Sequence, residues 1–200
     1  MTKLLQINTS LFAGKGQSSQ LAEQFVAEWR QHHPDTQVQV RDLAQDGVPH
    51  LDAQRFSAFI TPAEARSPEQ QAVVDYSDAL IAELKSADVI VLGLPMYNFG
   101  VPSQLKSYFD HIARAGITFR YTAKGPEGLI TGKKAYVFAA RGGLYAGTPL
   151  DSQTNYVRDF LRFIGIADVE FVYAEGLNID ADRKQSALHQ AQDAIHRLAA

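Results

Sequence analysis

Asp88-Val-Ile-Val-Leu-Gly-Leu-Pro-Met-Tyr-Asn-Phe99, running on into Gly100-Val-Pro-Ser-Gln-Leu-Lys106, decides the fold of this chain. Residues 88–94 are an apolar run too brief for a helix and rich in β-branched side chains, the pattern of a parallel strand buried on both faces. Pro95 closes it, having no N–H to give a neighbouring strand. Beyond Ser103, the apolar residues Leu105, Tyr108, Phe109 and Ile112 recur at helical spacing. The segment reads strand, aromatic loop, helix. In open α/β sheets ligands bind at the carboxyl ends of the strands. Met96, Tyr97, Asn98 and Phe99 therefore stand where a flat, polar-edged aromatic ligand would lie.

Outward from this unit, Leu4, Leu5 and Ile7 mark a first strand over Thr2–Asn8. Leu21, Ala22, Phe25, Val26 and Trp29 mark an amphipathic helix that ends at Pro34. Val38 and Val40 form an edge-like second strand. Ser67, Pro68 and Gln70 spell a capping box with proline in the first turn, ahead of an inward stripe of Val73, Val74, Leu80, Ile81 and Leu84. Lys134–Ala140 is a fourth strand, Tyr156–Ile164 a helix, Val169–Tyr173 a fifth strand and Leu188–Leu198 the last helix. Strands alternating with helices predict an α/β three-layer sandwich: a five-stranded parallel sheet of order 2-1-3-4-5 with helices on both faces. One domain is expected over residues 1–200. Two segments fit this scheme less readily. Residues 46–66 hold Phe56, Phe59 and Ile60, read as an interface patch. Residues 115–132 are a long excursion with Phe119 and Tyr121, read as a functional loop.

Composition narrows the partners. The chain has 200 residues, 46% hydrophobic and 20% charged, ordinary for a soluble globular protein. A net charge of −3 gives no case for nucleic acid or an anionic membrane. It is also mild beside the acidic surfaces of small electron carriers that dock on basic partners. There is no cysteine, hence no disulfide, CxxC pair or thiolate metal site. The six histidines form no ligand set, so no metal is expected. No signal peptide or membrane span is visible, and a cytoplasmic location is expected.

Three loops meet at the carboxyl edge in the expected strand order. The first holds Ser10, Gly16, Gln17 and Ser18 and leads into a helix. Hydroxyls, a close-approach glycine and free N–H groups at a helix start suit a phosphate, although Ser18 or Ser19 could equally be a plain N-cap. The second is Met96–Phe99. The third, Ala140-Arg141-Gly142-Gly143, offers backbone N–H groups to a ligand edge. Each alone has a bland structural reading. Together they suit the phosphate, ring face and pyrimidine edge of one flavin mononucleotide.

Pro95–Phe99, Ala113–Thr122, Gly125–Leu129, Thr131–Lys134, Phe163–Ile166 and Ala174–Gly176 together resemble the FMN-dependent NADH-azoreductase (NADH:quinone oxidoreductase) family of flavodoxin-like enzymes, over essentially the whole chain. The resemblance implies bound FMN, with Ser10 and Gly16–Ser18 at its phosphate and Met96–Phe99 and Ala140–Gly143 at its ring. It implies hydride transfer from NADH or NADPH to quinones or azo compounds, and a homodimer with Phe119 and Tyr121 over the ring. Tyr145 stands in a segment where relatives differ and is a substrate-pocket candidate. No catalytic residue is assigned. Two departures stand out: Gly16, where the family often carries serine, and Ala140, where it carries Ser-Arg-Gly-Gly. The rival readings are a flavodoxin-type electron carrier, a flavin or iron reductase, and a flavin-free regulatory domain on the same fold.

Overall fold

The computed structural model describes residues 1–200. In chain order its elements are β1 (Lys3–Asn8), α1 (Gln17–His32), β2 (Gln37–Asp42), α2 (Ala53–Ile60), α3 (Pro68–Ser86), β3 (Val89–Pro95) and α4 (Ser103–Ile112). They continue as β4 (Phe119–Thr122), β5 (Gly125–Gly128), β6 (Lys134–Ala140), α5 (Ser152–Ile164), β7 (Asp168–Ala174) and α6 (Ala181–Ala199). The sheet runs β2-β1-β3-β6-β7, all parallel. With β4 and β5 set apart as an antiparallel hairpin, this is the expected order 2-1-3-4-5.

All seven residues of β3 are buried, because the sheet is covered on both sides. Side chains alternate across a strand, so each face receives its own set. Val89 and Val91 join Leu4, Phe25, Phe138 and Ile195 under α1 and α6. Ile90, Leu92 and Leu94 join Leu80, Leu105 and Leu161 under α3, α4 and α5. A run without polar alternation is what two apolar neighbours demand. The capping box of α3 forms as read: Ser67 Oγ accepts from the Gln70 N–H, and Gln70 Oε1 accepts from the Ser67 N–H. No helix is long and apolar enough to cross a membrane.

Two expectations need correction. The apolar cluster at residues 56–60 lies on α2, capped by Asp52, whose carboxylate accepts from the Arg55 N–H at 2.7 Å. Helical periodicity splits it: Phe56 and Ile60 share an exposed face, while Phe59 turns inward beneath the Arg114 guanidinium, 4.1 Å from its ring centre. The excursion at 115–132 is not an open loop, for it contains the β4–β5 hairpin. That hairpin is pinned to the end of α5. Phe119 packs on Phe163 at 4.3 Å between ring centres, and the Ile130 N–H donates to the Ile164 carbonyl at 2.8 Å. The left-handed Gly165 (φ 111°) ends α5 and leaves its backbone open to Gly128.

That contact has no room for a side chain. A Cβ on Gly128 would lie 2.1 Å from the Gly165 nitrogen, a backbone atom that cannot swing aside. Gly128→Ala is therefore expected to lower the unfolding free energy by about 1–3 kcal/mol, the usual cost of overpacking. Gly14→Ala meets nothing within 4 Å and should stay within about 0.5 kcal/mol of the parent. Urea denaturation of both variants checks the pair. An unchanged midpoint for Gly128→Ala would show that the hairpin does not rest on α5.

Candidate functional site

The carboxyl edge of the sheet is organised from β3 outward. Gly93 lies beneath the first turn of α1, where a Cβ would come within 3.0 Å of the Ser18 carbonyl, so the helix start settles onto the sheet. Thr9 Oγ1 donates to the Gly93 carbonyl at 2.8 Å and fixes the loop that precedes it. At the head of α1, Gly16 occupies the N-cap and brings no capping side chain. The Ser18 and Ser19 hydroxyls are buried and have no hydrogen-bond partner. Neither is an N-cap. Uncapped first-turn N–H groups beside an unpaired buried hydroxyl are what an anion would satisfy.

The second loop is strained into shape. Asn98 (φ 48°) and Phe99 (φ 64°) are both left-handed. They sit between Tyr97 and Gly100, whose backbones exchange hydrogen bonds of 3.2 and 2.9 Å. This is the geometry of a type I′ turn, made without glycine at its centre. The start of α5 holds it. Gln153 Nε2 donates to the carbonyls of Pro95 (2.7 Å) and Gly100 (3.2 Å), and the Ser152 hydroxyl donates to the Phe99 carbonyl. Tyr97 in turn ties this loop to the first, its hydroxyl accepting from the Leu11 N–H at 3.2 Å and lying 3.3 Å from Ser10 Oγ.

The third loop follows β6. The carbonyls of Gly142 and Gly143 accept from the N–H groups of Asn178 (3.1 Å) and Gly176 (2.8 Å), so this loop is laced to the one after β7. The N–H groups of Gly142 and Gly143 have no acceptor within the chain and remain free to donate. Tyr145 spans the second and third loops. Its ring is 5.5 Å from that of Phe99, and a Cβ on Gly143 would come within 2.6 Å of its hydroxyl.

These loops enclose a cavity of about 190 Å³. Of the residues expected from sequence, Ser10, Gly16, Gln17, Ser18, Met96, Tyr97, Ala140, Arg141 and Gly142 line it, with Asn98, Phe99, Gly143 and Tyr145 beside them. Phe12, Leu177, Asn178 and Lys184 also line it without any local signal in the sequence, as does Pro95, read from sequence only as the strand's stop. The rule that ligands sit at strand carboxyl ends could have drawn in the loop after β7, which supplies Leu177 and Asn178. A larger cleft of about 440 Å³ near Lys3, Gln37 and Ser86 lies at the opposite, amino end of the strands.

Three of the expected residues or groups stand in surroundings that the sequence does not show. Ser10 is present, but its hydroxyl already accepts from the Phe12 N–H at 3.2 Å and meets Tyr97. The Arg141 guanidinium turns inward: with none of its side chain exposed, it pairs with Asp151 (2.9 Å) and Glu175 (3.0 Å) and donates to Thr154 Oγ1 (3.0 Å). Burial resists the Asp151 charge, but the Thr154 N–H and the Arg141 guanidinium outweigh it and hold that carboxyl below its ordinary range. Phe119 and Tyr121 do not reach the cavity of their own chain. Their hairpin rests at the far end of α5, and the twelve residues from Ser152 to Phe163 rise about 16 Å from first to last.

The comparisons with known proteins agree with this architecture. The family described as having a flavodoxin-like fold matches residues 2–199. An FMN-dependent NADH:quinone oxidoreductase of Cellvibrio japonicus is 56% identical over 197 residues, covering 98% of each chain. FMN-dependent NADH:quinone oxidoreductase 6 of Burkholderia lata is 58% identical over 195 residues, again covering 98% of each. Among solved structures, an FMN-dependent NADH-azoreductase from Bacillus anthracis in complex with FMN superposes with a TM-score of 0.88 at 27% identity, covering 100% of both chains.

The Arg141 network has a pH signature. Asp151 titrates lower in the folded chain than in the unfolded one, so its stabilisation is complete above the unfolded value, about 3.9, and is lost as pH falls through the folded value. Asp151→Asn should cost at most about 3 kcal/mol near neutrality, since Glu175 still pairs with Arg141. The gap between parent and variant should close below about pH 4. Urea unfolding at a series of pH values measures it, and a gap independent of pH would exclude Asp151 as the titrating partner.

Proposed function

We propose a function on one premise: the chain belongs to the flavodoxin-like family, among the FMN-dependent NADH:quinone oxidoreductases and azoreductases. It is an FMN-dependent oxidoreductase that uses NADH or NADPH for the two-electron reduction of quinones and the reductive cleavage of azo compounds. Residues 1–200 act as a single FMN-binding domain.

The observation that carries this reading is the head of α1, which borders the cavity with uncapped N–H groups and with Ser18, whose buried hydroxyl is unpaired. These groups fit a phosphate. The free N–H groups of Gly142 and Gly143 fit the carbonyl edge of a pyrimidine ring, where they would stabilise negative charge. Met96, Tyr97 and the strained turn at Asn98 and Phe99 would support the flat ring. When bound, FMN supplies the redox chemistry, accepting hydride from the nicotinamide and passing two electrons to the acceptor. No carboxylate or histidine lines the cavity, so the chain's part is binding, orientation and the exclusion of water. Exposed Phe12, Phe99, Leu144 and Ile179 give the site an apolar rim suited to planar, hydrophobic acceptors. Donor and acceptor use the same opening in turn, which makes turnover ping-pong.

The working unit is a homodimer. Phe56 and Ile60 on α2 are 51% and 68% exposed and share one face, an apolar patch that a second copy would cover. Tyr121, 76% exposed on its hairpin, is a further aromatic that a partner would cover.

Flavin titration tests the phosphate site. Ser18→Ala should weaken FMN binding by about 1–3 kcal/mol, the scale of a hydrogen bond to a charged group. Unchanged affinity would remove Ser18 from the site, and a chain that ignores FMN would sink the proposal. Steady-state plots against NADH at several quinone concentrations should be parallel, and intersecting lines would overturn the shared opening. Light scattering at micromolar concentration should give a dimer mass that Ile60→Glu reduces to a monomer. A parent chain that is monomeric and fully active would exclude the patch as an interface.

A further inference from the structure

Two residues that line the cavity carry a formal charge, Arg141 and Lys184. Arg141 is paired with both Asp151 and Glu175, whose carboxylates belong to residues that do not line the cavity. Lys184, in the first turn of α6, forms no ion pair. Asp180, one helical turn before it, is engaged by the N–H and guanidinium of Arg183, and Asp182, two positions away, forms no ion pair with it. The one uncompensated charge on the cavity wall is thus an ammonium, in the same cavity as the positive end of α1 and the unpaired Ser18 hydroxyl. No acidic side chain lines that cavity to oppose it.

We propose that Lys184 is a phosphate-binding residue, which reads the terminal phosphate monoester of FMN from across the cavity and makes the chain select the charged flavin over the uncharged one. This rests on the proposed function. It also accounts for the departure at position 16, where a hydroxyl is missing from the phosphate loop. A Cβ on Gly16 would lie 2.1 Å from Ser10 Oγ, so the loop as built has no place for that side chain. A charge reaching in from α6 supplies by Coulomb attraction what the loop lacks in hydroxyl donors. Because Lys184 is exposed, its attraction is screened by salt, unlike the donors buried at the head of α1.

The test compares FMN with riboflavin, titrated by fluorescence into the full chain freed of flavin. Lys184→Gln should raise the FMN dissociation constant about fivefold at low salt, the upper scale for an exposed charge pair. It should leave riboflavin binding unchanged. Lys184→Arg should keep most of the parent affinity, and the FMN difference should fade towards about 1 M salt. An FMN affinity indifferent to Lys184→Gln, or an equal loss for riboflavin, would overturn the assignment while leaving the proposed function standing. A parent chain that binds neither flavin would overturn both.

Discussion

A guanidinium with no exposure to water must be paired, and that requirement organises the carboxyl edge of this protein. Arg141 leaves the end of β6 and is met by Asp151 at the start of α5 and by Glu175 beyond β7. A buried charge that lost its partners would carry a desolvation penalty of several kcal/mol, so these three segments hold a single relative position. Glu175 extends the constraint by accepting the N–H groups of Tyr145 (3.0 Å) and Ala146 (2.9 Å). Residues 151–154 extend it in the other direction. Asp151 and Thr154 grip the third loop, while Ser152 and Gln153 grip the second. One turn of helix thus sets the spacing between the two loops that would cradle a flavin ring.

Strain and restraint are matched at this site. Two consecutive non-glycine residues in the left-handed region cost of the order of 1 kcal/mol or more each. Asn tolerates that conformation because its short polar side chain can bond locally, whereas Phe has no such compensation. The turn at Asn98 and Phe99 persists because the carbonyls of Pro95, Phe99 and Gly100 are all held from α5. The outcome is an aromatic side chain, 52% exposed, at a fixed place on the rim.

What the sequence made legible was whatever depends on neighbours along the chain. The β-branched run of β3, the Ser67–Gln70 box and the helical stripes are local patterns, and each produced the element expected. The convergence of three loops followed from strand order, itself a consequence of alternating elements. Contacts between distant residues were not legible. Nothing near Arg141 in sequence says that its side chain turns inward, because its partners are 10 and 34 positions away. The hairpin at residues 119–128 pairs through Gly125, Pro126 and Gly128, residues with little strand propensity, and it exists because α5 ends in an open glycine. Lys184 likewise carries no local signal, for only the fold brings it to a cavity wall.

The parallel register also has a kinetic consequence. β1 pairs with β3, so Leu4 meets Val89 across 85 positions, and every further pairing in the sheet likewise closes a long loop. Non-local topologies of this kind fold slowly, because chain entropy is lost before the contacts repay it. The cavity gathers residues from Ser10 to Lys184 and so assembles only after β1, β3, β6 and β7 are aligned. A ligand that recognises this cavity meets the finished fold, and by mass action it draws the population towards that state without speeding its formation. The supply of such a ligand would then govern how long the native chain persists, while the order of strand pairing governs how soon it appears.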